Sequence, residues 1–186
     1  MRRTLLILAI SLTTHMGWTQ PASFAGSTDF NPQDRLAITN LIHAYAFHWD
    51  SRNVDEFLSL FTDDADSVSY SAGQELKRKI KEKSAVEGAR ERADYFQKNQ
   101  MQRRHIMSST LFLQQTADTA EVLQYCLLVT TDATPQTNPS ATDPVGAPIQ
   151  TKIVSPIVYR FEFSKFEGAW KIRSREIKLD ALLDVP

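Results

Sequence analysis

The sequence predicts an α+β fold: a cone-shaped roll in which a strongly curved antiparallel sheet wraps around three N-terminal helices. Helical spacing of apolar residues dominates residues 32–97, with one short strand pattern inside that stretch. Four strand-like segments separated by turn residues follow it. A sheet curved around a long helix encloses a cavity, which is where small molecules bind.

The first helix is predicted from Pro32 to Trp49. Asn31 is a typical helix cap, Pro32 suits the first helical position, and Asp34 adds an acid to the first turn. The apolar side chains then recur at helical spacing: Ile38, Leu41, Ile42, Tyr45 and Trp49. The polar residues 50–53 (DSRN) end this helix. A short second helix is predicted over residues 54–61, followed by a strand over residues 66–70.

A third helix is predicted from Ser84 to Gln97. Ser84 and Glu87 have the spacing of a capping box, which would start the helix at Ser84. The basic segment just before it, Leu76–Lys83, is interpreted as a solvated loop or helix face. It contains no aromatic residue, so it does not indicate nucleic-acid binding.

The remainder of the chain is predicted to be β-structure. The four predicted strands are Arg104–Gln114, Ala120–Thr131, Thr151–Phe163 and Ala169–Leu179. Between the second and third of them, residues 132–149 contain four prolines among small and polar residues. Such a long loop in a compact domain is either a flexible rim or lid, or an insertion without a role.

The N-terminus resembles a secretory signal peptide over residues 1–25. Arg2 and Arg3 precede an apolar run at residues 4–12, and small residues stand at 23 and 25, where a signal peptidase cleaves. This predicts export to a periplasm or secretion, with the domain at residues 31–182; the alternative is a disordered or core-packed N-terminus. The apolar run is too short to span a bilayer, so no stable membrane anchor is expected.

Composition limits the classes of function. The net charge is −1, which gives no bias toward nucleic acid or an anionic membrane. Cys126 is the one cysteine, so neither an intramolecular disulfide nor a cysteine zinc site is expected. His43 and His48, five positions apart on the predicted first helix, do not share a face that could bind a metal. We expect no metal and no cofactor.

Three segments of the chain resemble SnoaL-like proteins of the nuclear transport factor 2-like superfamily. They are residues 34–61 (DRLAITNLIHAYAFHWDSRNVDEFLSLF), 103–109 (RRHIMSS) and 170–175 (WKIRSR). The resemblance covers nearly the whole chain after the signal segment and implies the cone fold. The superfamily includes dehydratases, dehydrohalogenases, isomerases, polyketide cyclases and subunits without chemistry, so the resemblance is less specific for function.

The resemblance also implies candidate catalytic residues. In scytalone dehydratase-type and dehydrochlorinase-type members, an Asp follows the first helix and a His begins the strand after the third helix. Asp50 and His105 fall on these two positions. Arg175 matches a basic residue that contacts the departing group in the dehydrochlorinase type, whereas Ser109 stands where Asn is common.

These residue types suit proton abstraction from carbon. An imidazole accepts and returns protons near neutral pH, and a carboxylate on one ring nitrogen fixes the tautomer. Arg175 would stabilise developing negative charge. The predicted function is a cofactor-independent lyase or isomerase of the dehydratase or elimination type. The alternatives are that Asp50 only ends the helix, that His105 is a hydrogen-bonded core residue, and that Arg175 lies on the surface or in a salt bridge.

The expected ligand is a small apolar organic molecule. The candidate substrate contacts are aromatic or pocket-sized side chains near the predicted pair, although core packing is an alternative for most of them: Tyr45, Trp49, Met107, Ser109 and Tyr125. The competing function is a non-catalytic domain of the same fold that binds a hydrophobic ligand or supports dimerisation. The resemblance implies a homodimer in either case.

Overall fold

A computed structural model of the chain describes residues 31–71, 74–133 and 149–179. It contains three helices and six strands: α1 (Pro32–Asp50), α2 (Val54–Ser59), β1 (Phe61–Ser71), β2 (Gln74–Lys79), α3 (Lys83–Lys98), β3 (Met101–Gln115), β4 (Thr119–Ala133), β5 (Ile149–Phe166) and β6 (Ala169–Leu179). The predicted α+β class is confirmed. The predicted signal peptide (1–25), almost all of the predicted loop (132–149) and the end of the predicted domain (180–182) lie outside the described residues.

The six strands form one curved, open sheet in the order β2-β1-β6-β5-β4-β3. All neighbouring pairs are antiparallel except β1 and β6, which are parallel, so the sheet is mixed rather than purely antiparallel as predicted. The parallel pair arises because α3 carries the chain from β2 to the opposite edge of the sheet. The meander from β3 to β6 then returns to β1 running in the same direction as that strand.

Helix α1 begins and ends where the sequence places its signals. The Asn31 side chain accepts hydrogen bonds from the backbone N–H groups of Gln33 and Asp34, at 2.9 and 3.4 Å. The helix ends at Asp50, and Arg52 then takes a positive φ of 63° that turns the chain into α2. This end lies against the sheet, so the side chain of Asp50 is buried.

The core lies between α1 and the concave face of the sheet. Tyr45 projects from α1 into a group of aromatic rings, with centroid separations of 5.1 Å to Phe57 and 5.4 Å to Phe161. Each fully buried aromatic or branched aliphatic side chain contributes about 1.5–3 kcal/mol to folding. Within the described chain, no helix is both long enough and apolar enough to span a membrane.

The interpretation of the basic segment Leu76–Lys83 as a loop or helix face was wrong for its first half. Residues 76–79 belong to β2, which pairs with β1 at the edge of the sheet, and residues 80–82 form the turn before α3. Side chains alternate along a strand. Leu76 and Arg78 therefore face the interior of the cone, while Lys77 and Lys79 point to the other face.

Helix α3 begins one residue earlier than predicted, and the expected capping box at Ser84 is absent. Glu82 is the N-cap residue, and its side chain makes no capping hydrogen bond. The hydroxyl of Ser84, in the first turn, instead donates to Oε1 of Glu82 at 2.9 Å. Because the helix already begins at Lys83, Ser84 lies inside the first turn and not at the N-cap position that a capping box requires.

Candidate functional site

Asp50 and His105 are hydrogen-bonded to each other, although they are 55 positions apart in the sequence. Nδ1 of the His105 ring lies 2.6 Å from Oδ1 of Asp50. The backbone N–H of His105 donates to Oδ2 of the same carboxylate at 2.7 Å. The last residue of α1 and an early residue of β3 are thereby joined by two hydrogen bonds.

This contact determines which ring nitrogen is available for chemistry. The Asp50 side chain is 8% exposed and the His105 side chain 4% exposed, so little water competes for the contact. An ionised carboxylate only accepts hydrogen bonds, so Nδ1 must carry the proton that bridges the two side chains. In the neutral ring, Nε2 then has the free electron pair, which makes it the nitrogen that can act as a base.

Gln102 holds the backbone around the pair. Its side-chain amide donates to the carbonyl oxygen of Asp50 at 2.8 Å and to that of Arg103 at 2.7 Å. Because it bridges the end of α1 to the start of β3, it fixes the separation of the elements that carry the pair. Sequence reasoning missed Gln102, and a lone glutamine gives no pattern from which this role could be found.

Arg175 on β6 is buried, not on the surface. It is 9% exposed. Its Nε donates to Oγ of Ser67 at 3.1 Å, and Nη1 donates to the hydroxyl of Tyr45 at 2.5 Å. No carboxylate of the described residues forms an ion pair with it. Its charge is therefore held by neutral oxygen acceptors and remains available to an anion.

Tyr45 contacts both His105 and Arg175. Its ring packs edge-on to His105 with centroids 6.3 Å apart, while its hydroxyl accepts the bond from Arg175. The Tyr45 hydroxyl also hydrogen-bonds with Tyr159, which is completely buried. Burial, and then the neighbouring Tyr45, raises the pKa of Tyr159 well above its usual value. Tyr159 consequently stays protonated and can act only as a neutral hydrogen-bonding group.

A cavity of about 410 Å³ opens beside these residues, a size suited to a small molecule. Apolar side chains form most of its wall, and the polar groups in it include His105, Arg175 and Ser69. The apolar wall includes Trp49, Phe57, Leu58, Leu76, Ile80, Leu128, Ile157, Ile177 and Leu179. On α3, the wall consists of Ala85, Gly88 and Ala89, whose small side chains leave the space open.

Two of the five predicted substrate contacts, Tyr45 and Trp49, line this cavity. Met107, Ser109 and Tyr125 do not. Met107 packs against the core, and a register shift between it and Thr110 interrupts the side-chain alternation, which leaves Ser109 exposed. Tyr125 lies between the buried Gln124 and Cys126 on β4 and therefore points to the convex face, where it is 57% exposed.

Sequence reasoning also missed three arginines in the cavity wall: Arg78, Arg92 and Arg103. A signal existed for two of them. Arg78 alternates with lysines in the pattern Leu-Lys-Arg-Lys-Ile. This alternation is typical of a strand that places Leu76, Arg78 and Ile80 on one face and the lysines on the other. Arg103 precedes His105 by two positions and so shares its face of β3.

The remaining candidate groups lie elsewhere. Burial, with a smaller contribution from Asp50, raises the pKa of the Cys126 thiol to about 12, which disfavours the thiolate a nucleophile would need. His43 is exposed on α1, and neither it nor His48 lines the cavity. In residues 31–71, 74–133 and 149–179, no three His, Cys, Asp or Glu side chains are grouped to hold a metal.

Several solved structures have the same fold. The chain is similar to Aln2 from a Streptomyces species, with 18% identity, coverage of 81% of this chain and 94% of that one, and a TM-score of 0.59. It is similar to LinA, with 19% identity, coverage of 80% and 86%, and a TM-score of 0.55. A third, an NTF2-like protein with a cystatin-like fold from Novosphingobium aromaticivorans, has 17% identity, coverage of 83% and 84%, and a TM-score of 0.55. At these identities the similarity concerns the fold alone.

No curated protein matches this chain in sequence. The family model of the SnoaL-like domain, in contrast, matches residues 32–176. That range runs from the first residue of α1 into β6 and includes both Asp50 and His105. Together with the helices packed into a curved open sheet, this match shows that the chain belongs to the SnoaL-like domain family.

Proposed function

We propose that this chain is a cofactor-independent lyase or isomerase of the elimination type, with His105 as its general base. The observation that carries the proposal is the 2.6 Å hydrogen bond between Nδ1 of His105 and Oδ1 of Asp50 at the wall of a small-molecule cavity. A base oriented by a carboxylate, a buried cation and an apolar enclosure are the parts that proton abstraction from carbon requires.

In the proposed reaction, Nε2 of His105 takes a proton from a carbon next to an electron-withdrawing group. The electron pair of that C–H bond becomes the new double bond, and the leaving group departs from the neighbouring carbon with its bonding pair, either as halide or as a hydroxyl that takes the proton from the imidazolium and leaves as water. Asp50 stabilises the imidazolium that forms. Arg175 stabilises the negative charge that develops on the substrate or on the departing group. In an isomerisation, the imidazolium returns the proton to a different carbon.

Tyr45 and Trp49 are the proposed substrate contacts from the helix side. Tyr45 is 2% exposed and fixed by Arg175, so its ring is a rigid part of the wall. Burying the substrate among apolar side chains excludes water and strengthens the interaction between Arg175 and any developing charge. The same enclosure favours a substrate with an apolar body.

The test is deuterium loss from α-deuterated cyclic β-hydroxy and β-halo carbonyl compounds, followed by NMR. This readout detects proton abstraction even where elimination is slow. His105→Ala should lower the rate by at least about 10²-fold, and Asp50→Asn should also lower it. His43→Ala, on the exposed side of α1, is the matched control and should match wild type. If both site variants keep wild-type rates while circular dichroism shows them folded, the mechanism is wrong.

Should Asp50→Asn fail to fold, His105→Gln provides the second variant. Glutamine keeps a polar side chain in the space of the ring, yet it cannot accept a proton near neutral pH. A folded His105→Gln protein should bind the compounds and leave their deuterium in place.

Exposed apolar side chains on the convex face of the sheet favour self-association, whether the protein is an enzyme or only binds a ligand. Ile106, Leu111 and Tyr125 are between 36% and 57% exposed on β3 and β4. Large apolar side chains grouped on an open sheet face are typical of protein–protein contacts. We propose a homodimer through this face, in a catalytic or a purely ligand-binding protein. Tyr125→Arg should convert a dimer into a monomer in sedimentation analysis, whereas a monomeric wild-type protein would contradict the assignment.

Export remains a proposal that depends on the residues at positions 1–25. Expression in a bacterial host with a secretory system, followed by N-terminal sequencing of the mature protein, is the measurement. A new N-terminus just after Ala25 supports export, and an intact N-terminus in the cytoplasmic fraction contradicts it.

A further inference from the structure

Four arginines of the described chain line this cavity: Arg78, Arg92, Arg103 and Arg175. They come from β2, α3, β3 and β6, so the fold brings them together from distant parts of the sequence. Among the described residues, none of the four lies within 4.0 Å of a carboxylate oxygen. Three other arginines, all exposed, each have an acidic partner: Arg90, Arg160 and Arg173.

Two of these arginines stand in one row across the sheet. Ser67 on β1 is opposite Arg78 on one side and opposite Arg175 on the other. Residues that are paired in this way point to the same face of the sheet, with neighbouring strands about 4.8 Å apart. Ser67 is 1% exposed and accepts a bond from Arg175. The row therefore places two cations on the inner face, separated by a neutral hydroxyl.

Arg103 adds a third cation on the side of the catalytic pair. It lies two positions before His105 on the same face of β3, and its guanidinium stacks over the ring of Phe96 at 4.6 Å. Its Nε is buried and has no hydrogen-bond partner. A buried donor of a charged group that is left without an acceptor is costly, so this atom indicates a missing oxygen.

The arginines also act on one another. Burial, and then the charge of Arg92, lowers the pKa of Arg103. Burial, followed by the charges of Arg175 and Arg92, lowers the pKa of Arg78. Glu82 partly offsets this at Arg78 without forming an ion pair. The like charges are thus close enough to repel, and an anion among them would relieve that repulsion.

Asp50 offsets part of this charge, because it raises the pKa of Arg103. Both of its carboxylate oxygens accept hydrogen bonds from His105, and it forms no ion pair with any of the four arginines. A bound anion would supply the ion-pair partner that the described residues do not provide.

We infer that the cavity binds an organic acid, an apolar ring or chain that carries a carboxylate held by Arg78, Arg92 and Arg103. A guanidinium fork matches the two oxygens of a carboxylate, and three forks from three elements would fix its position. The apolar body of the acid then fills the space between α3 and β6, and the reacting end of the molecule lies against His105. The inference rests on the proposed function for that last placement only, and it narrows the expected apolar ligand to an amphipathic acid.

Isothermal titration calorimetry with cyclohexanecarboxylate and cyclohexanecarboxamide tests the inference. The two compounds share an apolar body and differ in charge. Wild-type protein should bind the carboxylate at least about tenfold more tightly than the amide. Arg78→Gln and Arg103→Gln should each reduce this preference several-fold. Lys77→Gln, next to Arg78 on the opposite face of β2, is the matched control and should leave it unchanged.

A further variant separates this inference from the proposed chemistry. His105→Ala should abolish proton abstraction and keep the preference for the carboxylate. If the protein prefers the carboxylate to the amide while His105→Ala still abstracts protons, the proposed mechanism is wrong and the inferred organic-acid ligand remains supported. If wild-type protein binds the amide as tightly as the acid, or binds neither, or if the arginine variants keep the full preference, the ligand class is wrong.

Discussion

The carboxylate of Asp50 accepts two hydrogen bonds from a single residue, one from the ring and one from the backbone N–H of His105. The backbone bond fixes where β3 begins relative to the end of α1. The ring bond then has no freedom to slide along the carboxylate. One acidic side chain thereby sets both the position of the strand and the tautomer of the His105 ring.

Gln102 should matter for stability and for activity without contacting the substrate. Gln102→Leu removes the donor shared by the carbonyl groups of Asp50 and Arg103, so we expect the free energy of unfolding to fall by about 1–3 kcal/mol. Urea denaturation measures this loss. Gln114→Leu, whose amide bonds to Glu121 on the exposed side of the sheet, should change stability by less than about 0.5 kcal/mol. Equal effects of the two substitutions would contradict a bridging role.

Tyr45→Phe should separate packing from hydrogen bonding. Phenylalanine keeps the ring among its aromatic neighbours and removes the acceptor for Nη1 of Arg175. We expect a loss of stability of about 1–3 kcal/mol, because a buried charged donor loses its partner, and at least a tenfold lower rate of deuterium loss. Tyr95→Phe on the exposed part of α3 is the control and should change neither quantity.

Gly88 should control the size of the cavity. A methyl group added there meets no atom within 4 Å, and Gly88 lies inside α3, where alanine is the better helix former. Gly88→Ala should therefore raise the free energy of unfolding by about 0.5–1 kcal/mol. Gly88→Phe should remain folded and weaken binding of cyclohexanecarboxylate, because its ring would enter the cavity. Unchanged affinity in calorimetry would show that the ligand does not use this space.

Asp34 should make stability depend on pH at the acid end. A hydrogen bond from Lys165, and then one from Trp170, lowers the pKa of Asp34 below its ordinary value of 3.8. The folded state favours the ionised form of Asp34. Its contribution to stability is therefore complete at pH values above the unfolded-state pKa of 3.8, and it is lost as the pH falls through the lower folded-state pKa. Asp34→Asn should lower the melting temperature at pH 7, and the difference from wild type should shrink at about pH 2.5.

The control for the acid-end prediction is Asp64→Asn, an exposed carboxylate that forms no ion pair among the described residues. It should give the same small difference from wild type at both pH values. A difference for Asp34→Asn that stays constant from neutral to acid pH would show that its charge contributes nothing.

The contact between Asp50 and His105 could be expected because the family resemblance places an Asp after the first helix and a His at the start of the strand after the third helix. Local patterns gave the elements: Asp50 follows the last apolar residue of a strongly periodic helix, and His105 stands near the start of a strand. Arg78 was missed for the opposite reason. Its charge made β2 resemble a solvated segment, although the alternation with Lys77 and Lys79 carried the information about its face.

The predicted contacts on β3 and β4 show a limit of alternation rules. Counting by twos from His105 places Met107 and Ser109 on the inner face. Met107 does pack inward but against the core, whereas the register shift after it breaks the count at Ser109, and nothing in the local sequence marks the bulge. Tyr125 fails for a simpler reason, because an aromatic side chain suits either face of a strand and only its paired neighbours decide which one it takes.

The wall of the cavity receives at least one side chain from each helix and each strand of the described chain. A molecule bound there contacts every element of the fold, so its binding energy stabilises the folded domain as a whole. Any genuine ligand should consequently delay thermal unfolding as a single cooperative event, by about 2.7 kcal/mol at a hundred times its dissociation constant. A melting-temperature screen of small-molecule libraries is therefore a direct route to the natural ligand, even before any reaction is known.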